Sequence, residues 1–219
     1  MMIDVNGVSL YYEVCGSGRP LILLHGNGED HHIFDKGIEQ LKSRFTCFAV
    51  DSRDHGQSSL CSELHYSDMA DDMIAFMDKL NLENVLFYGF SDGGIVGLLA
   101  AMKTDRITTL VTSGANVTPD GVKPMLKRFM KFMNRFSLDS KISLMLNEPH
   151  ITEEDLRKIH AKTLVLAGEK DLVTDSETKF IAAGIPGAKL RFIKGEGHGS
   201  YIVNSTKFVK YLIYADTQM

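Results

Sequence analysis

The feature that most constrains this chain is a series of short, continuously apolar runs separated by segments of helical period. Pro20-Leu21-Ile22-Leu23-Leu24, Thr46-Cys47-Phe48-Ala49-Val50 and Val85-Leu86-Phe87-Tyr88 are the earlier ones. Thr108–Thr112, Thr163–Ala167 and Leu190–Ile193 follow. Such a run has no polar face, so both of its faces must be buried. Strands of this kind belong in a parallel sheet covered on both sides by helices. The segments between them fit: Ile33 to Ser43, Ser67 to Leu80 and Gly94 to Met102 read as helices, and Tyr201 to Tyr214 as a last one. In the second, Met69, Met73, Phe76, Met77 and Leu80 share one face, and Ser67 stands where an N-cap is expected. Asn6-Gly7 ahead of Val8 to Val14 marks an initial β-hairpin. The pattern predicts an α/β fold, with a mostly parallel sheet and helices on both faces.

Val117 to Ala161 breaks the alternation, because it carries no strand signal. Met125, Leu126, Phe129, Met130, Phe132, Met133 and Phe136 recur there at mostly helical spacings, with Lys127, Arg128, Lys131 and Arg135 between them. Thr152 with Asp155 forms a capping-box pattern that opens another short helix. We expect a short helical lid, at about 117–161, inserted into a single domain spanning 1–219. Met and Phe suit an adaptable pocket wall as well as they suit an ordinary packing helix. Met125, Phe129 and Met133 are the lid's candidates for contact with a substrate.

Composition narrows the function classes. A chain of 219 residues, 44% of them hydrophobic, can bury one sizeable core. Its charges are mixed in sign and sum to −4, so nucleic acid and anionic membrane surfaces are not expected partners. No apolar stretch reaches the roughly 18 residues of a membrane span. Met1–Asn6 lacks the basic start and apolar run of a secretory signal. Cys15, Cys47 and Cys61 are odd in number and have no C-x-x-C spacing, which fits reduced thiols in a cytoplasmic protein and neither a zinc site nor a disulfide framework.

Chemistry concentrates just after the predicted strands, at the carboxyl ends where parallel α/β sheets place their sites. Gly89-Phe90-Ser91-Asp92-Gly93 lies between a strand and a helix. This is the G-x-S-x-G nucleophile elbow in the context that gives it meaning: small flanking residues permit a tight turn that lifts the hydroxyl clear of the sheet. His25-Gly26-Asn27-Gly28 follows the first buried strand. A loop of this kind donates one backbone N–H to an oxyanion hole, here from Asn27, with the second donor the N–H of Asp92. Gly168-Glu169-Lys170-Asp171 puts a carboxylate at another strand end. Asp171 is the candidate acid, with Glu169 and Asp175 as nearby rivals. Gly195-Glu196-Gly197-His198-Gly199 supplies His198 as general base and then acid. The chain order of nucleophile, acid and histidine is that of one known triad arrangement.

These segments, with Asp51-Ser52-Arg53-Asp54-His55-Gly56-Gln57-Ser58, together resemble the α/β-hydrolase superfamily over nearly the whole chain. The small, esterase-like members are the nearest likeness. That resemblance implies a Ser91–Asp171–His198 triad and no metal or organic cofactor. The loop after the second buried strand commonly reads D-x-R-G-H-G-x-S in the family; here Asp54 replaces the glycine. Aspartate tolerates left-handed backbone better than most residues. The lid is shorter than in many members. The elbow, Gly-x-Ser-Asp-Gly-Gly, also resembles that of biphenyl-hydrolase-like enzymes, in which the acid beside the nucleophile pairs with a substrate ammonium. For Asp92 the other reading is that only its backbone N–H matters.

The leading expectation is hydrolysis of a small-molecule carboxylic ester or thioester through an acyl-enzyme on Ser91. Carbon–carbon bond hydrolysis or perhydrolysis with the same triad is an alternative. A non-enzymatic small-molecule receptor that retains the triad is another. An aspartate-nucleophile dehalogenase or epoxide hydrolase is disfavoured by Ser91. The natural substrate and the oligomeric state are left open.

Overall fold

A computed structural model of the chain describes residues 1–136 and 139–219. Strands β1 (Met2–Val5) and β2 (Val8–Gly16) form the initial hairpin, with Asn6 and Gly7 both at positive φ in the turn. The remaining strands are β3 (Arg19–Leu24), β4 (Phe45–Val50), β5 (Val85–Phe90), β6 (Ile107–Ser113), β7 (Lys162–Lys170) and β8 (Lys189–Gly197). They make one 8-stranded sheet in the order β1-β2-β4-β3-β5-β6-β7-β8. All pairs from β4 to β8 across the sheet are parallel, and the β1–β2 and β2–β4 pairs are antiparallel. This is the α/β architecture that the buried runs predict.

The period-2 alternation of each strand sorts its residues onto two cores. Leu21 and Leu23, with Phe45, Cys47, Leu86 and Tyr88, face a layer that includes α1 (Asp35–Leu41) and α8 (Val209–Gln218). Ile22 and Leu24, with Phe48, Val50, Val85 and Phe87, face α2 (Tyr66–Lys79), α3 (Asp92–Ala101) and α7 (Asp175–Gly184). Each fully buried Leu or Ile contributes about 1.5–3 kcal/mol. This two-sided burial explains why the strands show no polar face in the sequence. Among the described residues no helix is long and apolar enough to cross a membrane.

Several expected helix ends shift by one or two residues, and two are set by unexpected partners. Ser67 is not the cap of α2: the helix starts at Tyr66, whose N–H donates to Glu148 Oε2 at 3.1 Å. A carboxylate from a distant segment thus does the work that a local hydroxyl was expected to do. The last helix starts at Val209 rather than Tyr201. Tyr201, Ile202 and Phe208 are buried all the same. They pack in turns because Asn204, at φ 50°, donates its N–H to Ile33 O at 2.9 Å instead of to a helical partner.

β3 lies between β4 and β5, and the chain leaves these strands toward opposite sides of the sheet. The crevice beyond the carboxyl ends of β3 and β5 is therefore a topological switch point, the place where open α/β sheets bind ligands. Between β6 and β7 come α4 (Pro124–Asn134), α5 (Ser140–Asn147) and α6 (Glu153–Leu156); α4 and α5 lie over the crevice, while α6 packs against α7 through Leu156 and Gly184. Thr152 and Asp155 form the capping box that opens α6.

Candidate active site

At the end of β5 the chain reverses into α3 through Ser91, at φ 51° and ψ −115°. Positive φ is unusual for serine and costs energy, so the surroundings must impose it. They do: Ser91 N–H donates to Ser113 O at 2.8 Å, and Gly93 N–H donates to His25 O at 3.0 Å. The turn is so tight that a Cβ on Gly89 would lie 2.1 Å from Gly93 O. This explains the glycines on either side of the serine.

His198 follows β8 and reaches back across the sheet end. Its Nε2 lies 3.0 Å from Ser91 Oγ and its Nδ1 2.6 Å from Asp171 Oδ1. The carboxylate neighbour places the proton on Nδ1, which leaves Nε2 to accept from the serine hydroxyl. Asp171 is buried, and it also accepts from Gly168 N–H and Val173 N–H, each at 3.0 Å. Burial alone would raise its pKa, but the His198 contact and the backbone donors outweigh it and hold the carboxyl below its ordinary range. Of the two rivals, Glu169 accepts from Gly195 N–H at 2.7 Å, and Asp175 is exposed at the start of α7. Gly114, which the sequence motifs do not include, sits at φ 63° after β6, where a Cβ would come within 2.7 Å of the His198 ring. A Ser-Gly pair closing a buried strand is the signal that points to it.

The loop after β3 approaches Ser91 from the other side. Ser52 N–H donates to His25 Nε2 at 3.0 Å, so Nδ1 carries the proton and donates to Gly26 O at 2.8 Å. Burial pushes the His25 pKa down to about 4, and the ring is neutral. Asn27 Nδ2 donates to Asp92 Oδ2 at 2.8 Å. Asp92 opens α3, and its backbone N–H, like those of any first helical turn, has no intrahelical acceptor. Burial raises its carboxyl pKa against the opposing hydrogen bond from Asn27 and the influence of nearby Tyr66. Glu29 belongs to the site without any sequence motif marking it. Its Oε2 accepts from Gly26 N–H at 3.0 Å, it faces the cavity, and burial raises its pKa.

These groups line one end of a cavity of about 270 Å³. The opposite wall is apolar: Leu126, Phe129, Met130 and Met133 from α4, and Ile142 and Met145 from α5. Phe129 and Met133 therefore lie where their helical spacing puts them. Met125 does not: it is 83% exposed and is not part of the wall. The inward face of α4 follows the i, i+3, i+4, i+7 rule from Leu126, which turns Met125 outward.

The loop after β4 braces this end of the sheet. Arg53 donates from Nε and Nη2 to the two oxygens of Asp72 on α2, both at 2.7 Å. Asp54 adopts φ 62°, so the left-handed backbone persists without the glycine. Among the described residues, Asp30, His31 and His32 are the one group of three side chains close enough to share a metal ion, and none of them lines the cavity. His31 Nδ1 is already engaged by Asp51 at 2.8 Å and His32 Nδ1 by Asp35 at 3.1 Å.

A family model described as alpha/beta hydrolase fold matches residues 19–146, more than half of the chain. The AB hydrolase superfamily protein YisY of Bacillus subtilis is 29% identical over an alignment 249 positions long, covering 91% of this chain and 92% of that protein. The serine hydrolase BPHL of Homo sapiens is 26% identical over 243, covering 95% and 83%. Among solved structures, the enol-lactonase from Burkholderia xenovorans superposes with a TM-score of 0.83 over 100% of both chains at 20% identity, which is a likeness of fold.

Proposed function

This chain belongs to the α/β-hydrolase fold family, and on that footing we propose that it is a serine hydrolase cleaving a small carboxylic ester or thioester through an acyl-enzyme on Ser91. The observation that carries the reading is the position of the His198 ring, bridging Ser91 Oγ and Asp171 Oδ1 at 3.0 and 2.6 Å. His198 Nε2 takes the hydroxyl proton as Oγ attacks the carbonyl carbon. Asp171 stabilises the imidazolium without taking the proton itself. The backbone N–H groups of Asn27 and Asp92 receive the charge that develops on the carbonyl oxygen; removing one such donor typically costs about 3–4 kcal/mol of barrier. The leaving alcohol or thiol departs with the proton from His198. Water, deprotonated by the same ring, then releases the acid and frees Ser91.

The cavity also bears on substrate charge. Among the described residues its wall contains Glu29 and Asp92 but neither lysine nor arginine. Neutral or cationic substrates are therefore favoured over anionic ones, since a buried anion without a partner is costly. An ammonium on the acyl group would meet Asp92. That residue already accepts from Asn27 Nδ2, so its scaffolding role competes with the ammonium role.

The test is labelling with a fluorophosphonate, mapped by mass spectrometry, alongside turnover of a nitrophenyl ester panel. The panel spans acyl length and includes an aminoacyl, a neutral and a carboxylate-bearing member, together with a ring-cleavage diketone. We expect the label on Ser91 and turnover of short neutral esters. Label without turnover of any ester would favour a receptor, and turnover of the diketone alone would favour carbon–carbon bond cleavage.

A further inference from the structure

Asp54 stands where the family pattern has glycine, and its side chain has a use. Its Oδ2 accepts from Lys141 Nζ at 2.7 Å and from Ser140 Oγ at 3.1 Å. Ser140 and Lys141 are the first residues of α5. The two charged side chains are 9% and 23% exposed, so this pair is shielded more than an ordinary surface ion pair. The carbonyl of Lys141 in turn accepts from Asn27 Nδ2 at 3.2 Å, the same amide that donates to Asp92.

The other end of α5 is tied as well. Glu148, directly after the helix, accepts from Tyr66 N–H at 3.1 Å and bonds His65 Nδ1 at 2.6 Å. Tyr66 lines the cavity together with Asp92. The first turn of α5 thus leads through Asn27 to the carboxylate beside Ser91, and its other end leads to Tyr66 in the wall of the same cavity. Between these ends Ile142 and Met145 face the cavity, and Leu144 is the buried residue of the helix. An 8-residue helix with one buried side chain has little hold of its own, and helices this short are marginal without tertiary contacts.

We propose that Asp54 is a positioning residue: through Lys141 it holds α5 as a wall of the cavity, and with α5 it holds Asn27, whose backbone serves as an oxyanion donor. The second half of this inference rests on the ester-hydrolase reading; the first half does not. A glycine at position 54 would permit the same backbone but could not hold the helix, so the departure from the family pattern is what creates the latch.

The test compares the full-length wild type with Asp54→Asn, Lys141→Met and the double variant. Asparagine tolerates the left-handed backbone, so Asp54→Asn removes the charge while preserving the turn. The activity-independent readout is amide hydrogen exchange over residues 140–147, with the β5 amides as the control for global unfolding. We expect exchange in α5 to quicken by about tenfold in each single variant, with no comparable change in β5. The double variant should be no worse than the worse single, because both remove one shared interaction. The kinetic readout is KM and kcat for nitrophenyl acetate and nitrophenyl butyrate. KM for butyrate, whose longer acyl chain presses on the apolar wall to which Ile142 and Met145 belong, should rise several-fold more than KM for acetate, and kcat should fall for both. Unchanged α5 exchange in both singles would overturn the latch. Faster exchange with unaltered kinetics would overturn the positioning role. If the wild type hydrolyses no ester, the hydrogen-exchange comparison still decides the latch, and the loss falls on the ester-hydrolase reading alone.

Discussion

The Ser91 turn and helix α4 face each other across one cavity, yet they are held in different ways. Nine residues of α3 are buried, and the turn before it is fixed by backbone hydrogen bonds to two neighbouring strand ends. In α4 a single residue, Met130, is buried. Met125, Phe129, Phe132 and, just past the helix, Phe136 expose 58–83% of their surface. On one side, backbone hydrogen bonds and a close-packed glycine turn hold the serine in one place, as chemistry requires. On the other, flexible Met and Phe side chains form an adaptable apolar wall. Changes on the first side should therefore act on kcat steeply, and changes on the second should act on KM mildly.

The most severe break comes from Ser91→Ala. Ester turnover should vanish while the melting temperature stays near that of the wild type, because the hydroxyl contributes no packing. Residual turnover above the uncatalysed rate would refute the acyl-enzyme. Asp171→Asn comes next. It favours the wrong imidazole tautomer, and the same change in the triad of a serine protease lowers kcat about 10⁴-fold. Asp175→Asn, altering an exposed residue, should leave kcat within a factor of two or so of wild type, as surface changes usually do. If the two results were exchanged, the acid would be misassigned.

On the lid side, Met130→Ala should raise KM for apolar esters by about tenfold at most, equivalent to ~1.4 kcal/mol of lost apolar contact, and leave kcat nearly intact. An equal fall in kcat would mean that α4 shapes the reacting geometry, and the contrast would fail. Acid sensitivity offers a further distinction. The folded pKa of His25, about 4, lies below its ordinary value of 6.5 because of burial. The unfolded chain therefore takes up a proton that the folded chain refuses as pH falls from about 6.5 to about 4. Stability is full above that window and is lost on descending through it. Melting temperatures measured across the window should fall less steeply for His25→Asn than for wild type. The smallest effect is expected from Met125→Ser. With the side chain outside the wall, KM for every ester in the panel should stay unchanged; a selective rise would return Met125 to the binding face.

Much of the site is legible from residues because its parts are local. The elbow needs only glycines around a serine between a strand and a helix. His198 and Asp171 need only their places after strands and their order in the chain. Glu29 is not legible, since an acid in a glycine-rich loop looks solvated until the loop folds back and buries it against Gly26. Met125 misleads because spacing marks an apolar face but does not say where its edge falls. Ser67 misleads because the true cap of α2, Glu148, lies 82 residues away in sequence.

What the sequence determined by itself is the sheet and the order in which Ser91, Asp171 and His198 follow its strands. Hydrophobic period and turn chemistry act over a few residues, so they can be read without knowing what lies alongside. The tertiary structure alone decided which lid residues face inward, that Glu29 belongs to the cavity, and what Asp54 contacts at its left-handed turn. Each of these depends on side chains brought together from distant segments, where a difference of about one or two ångströms separates a hydrogen bond from none.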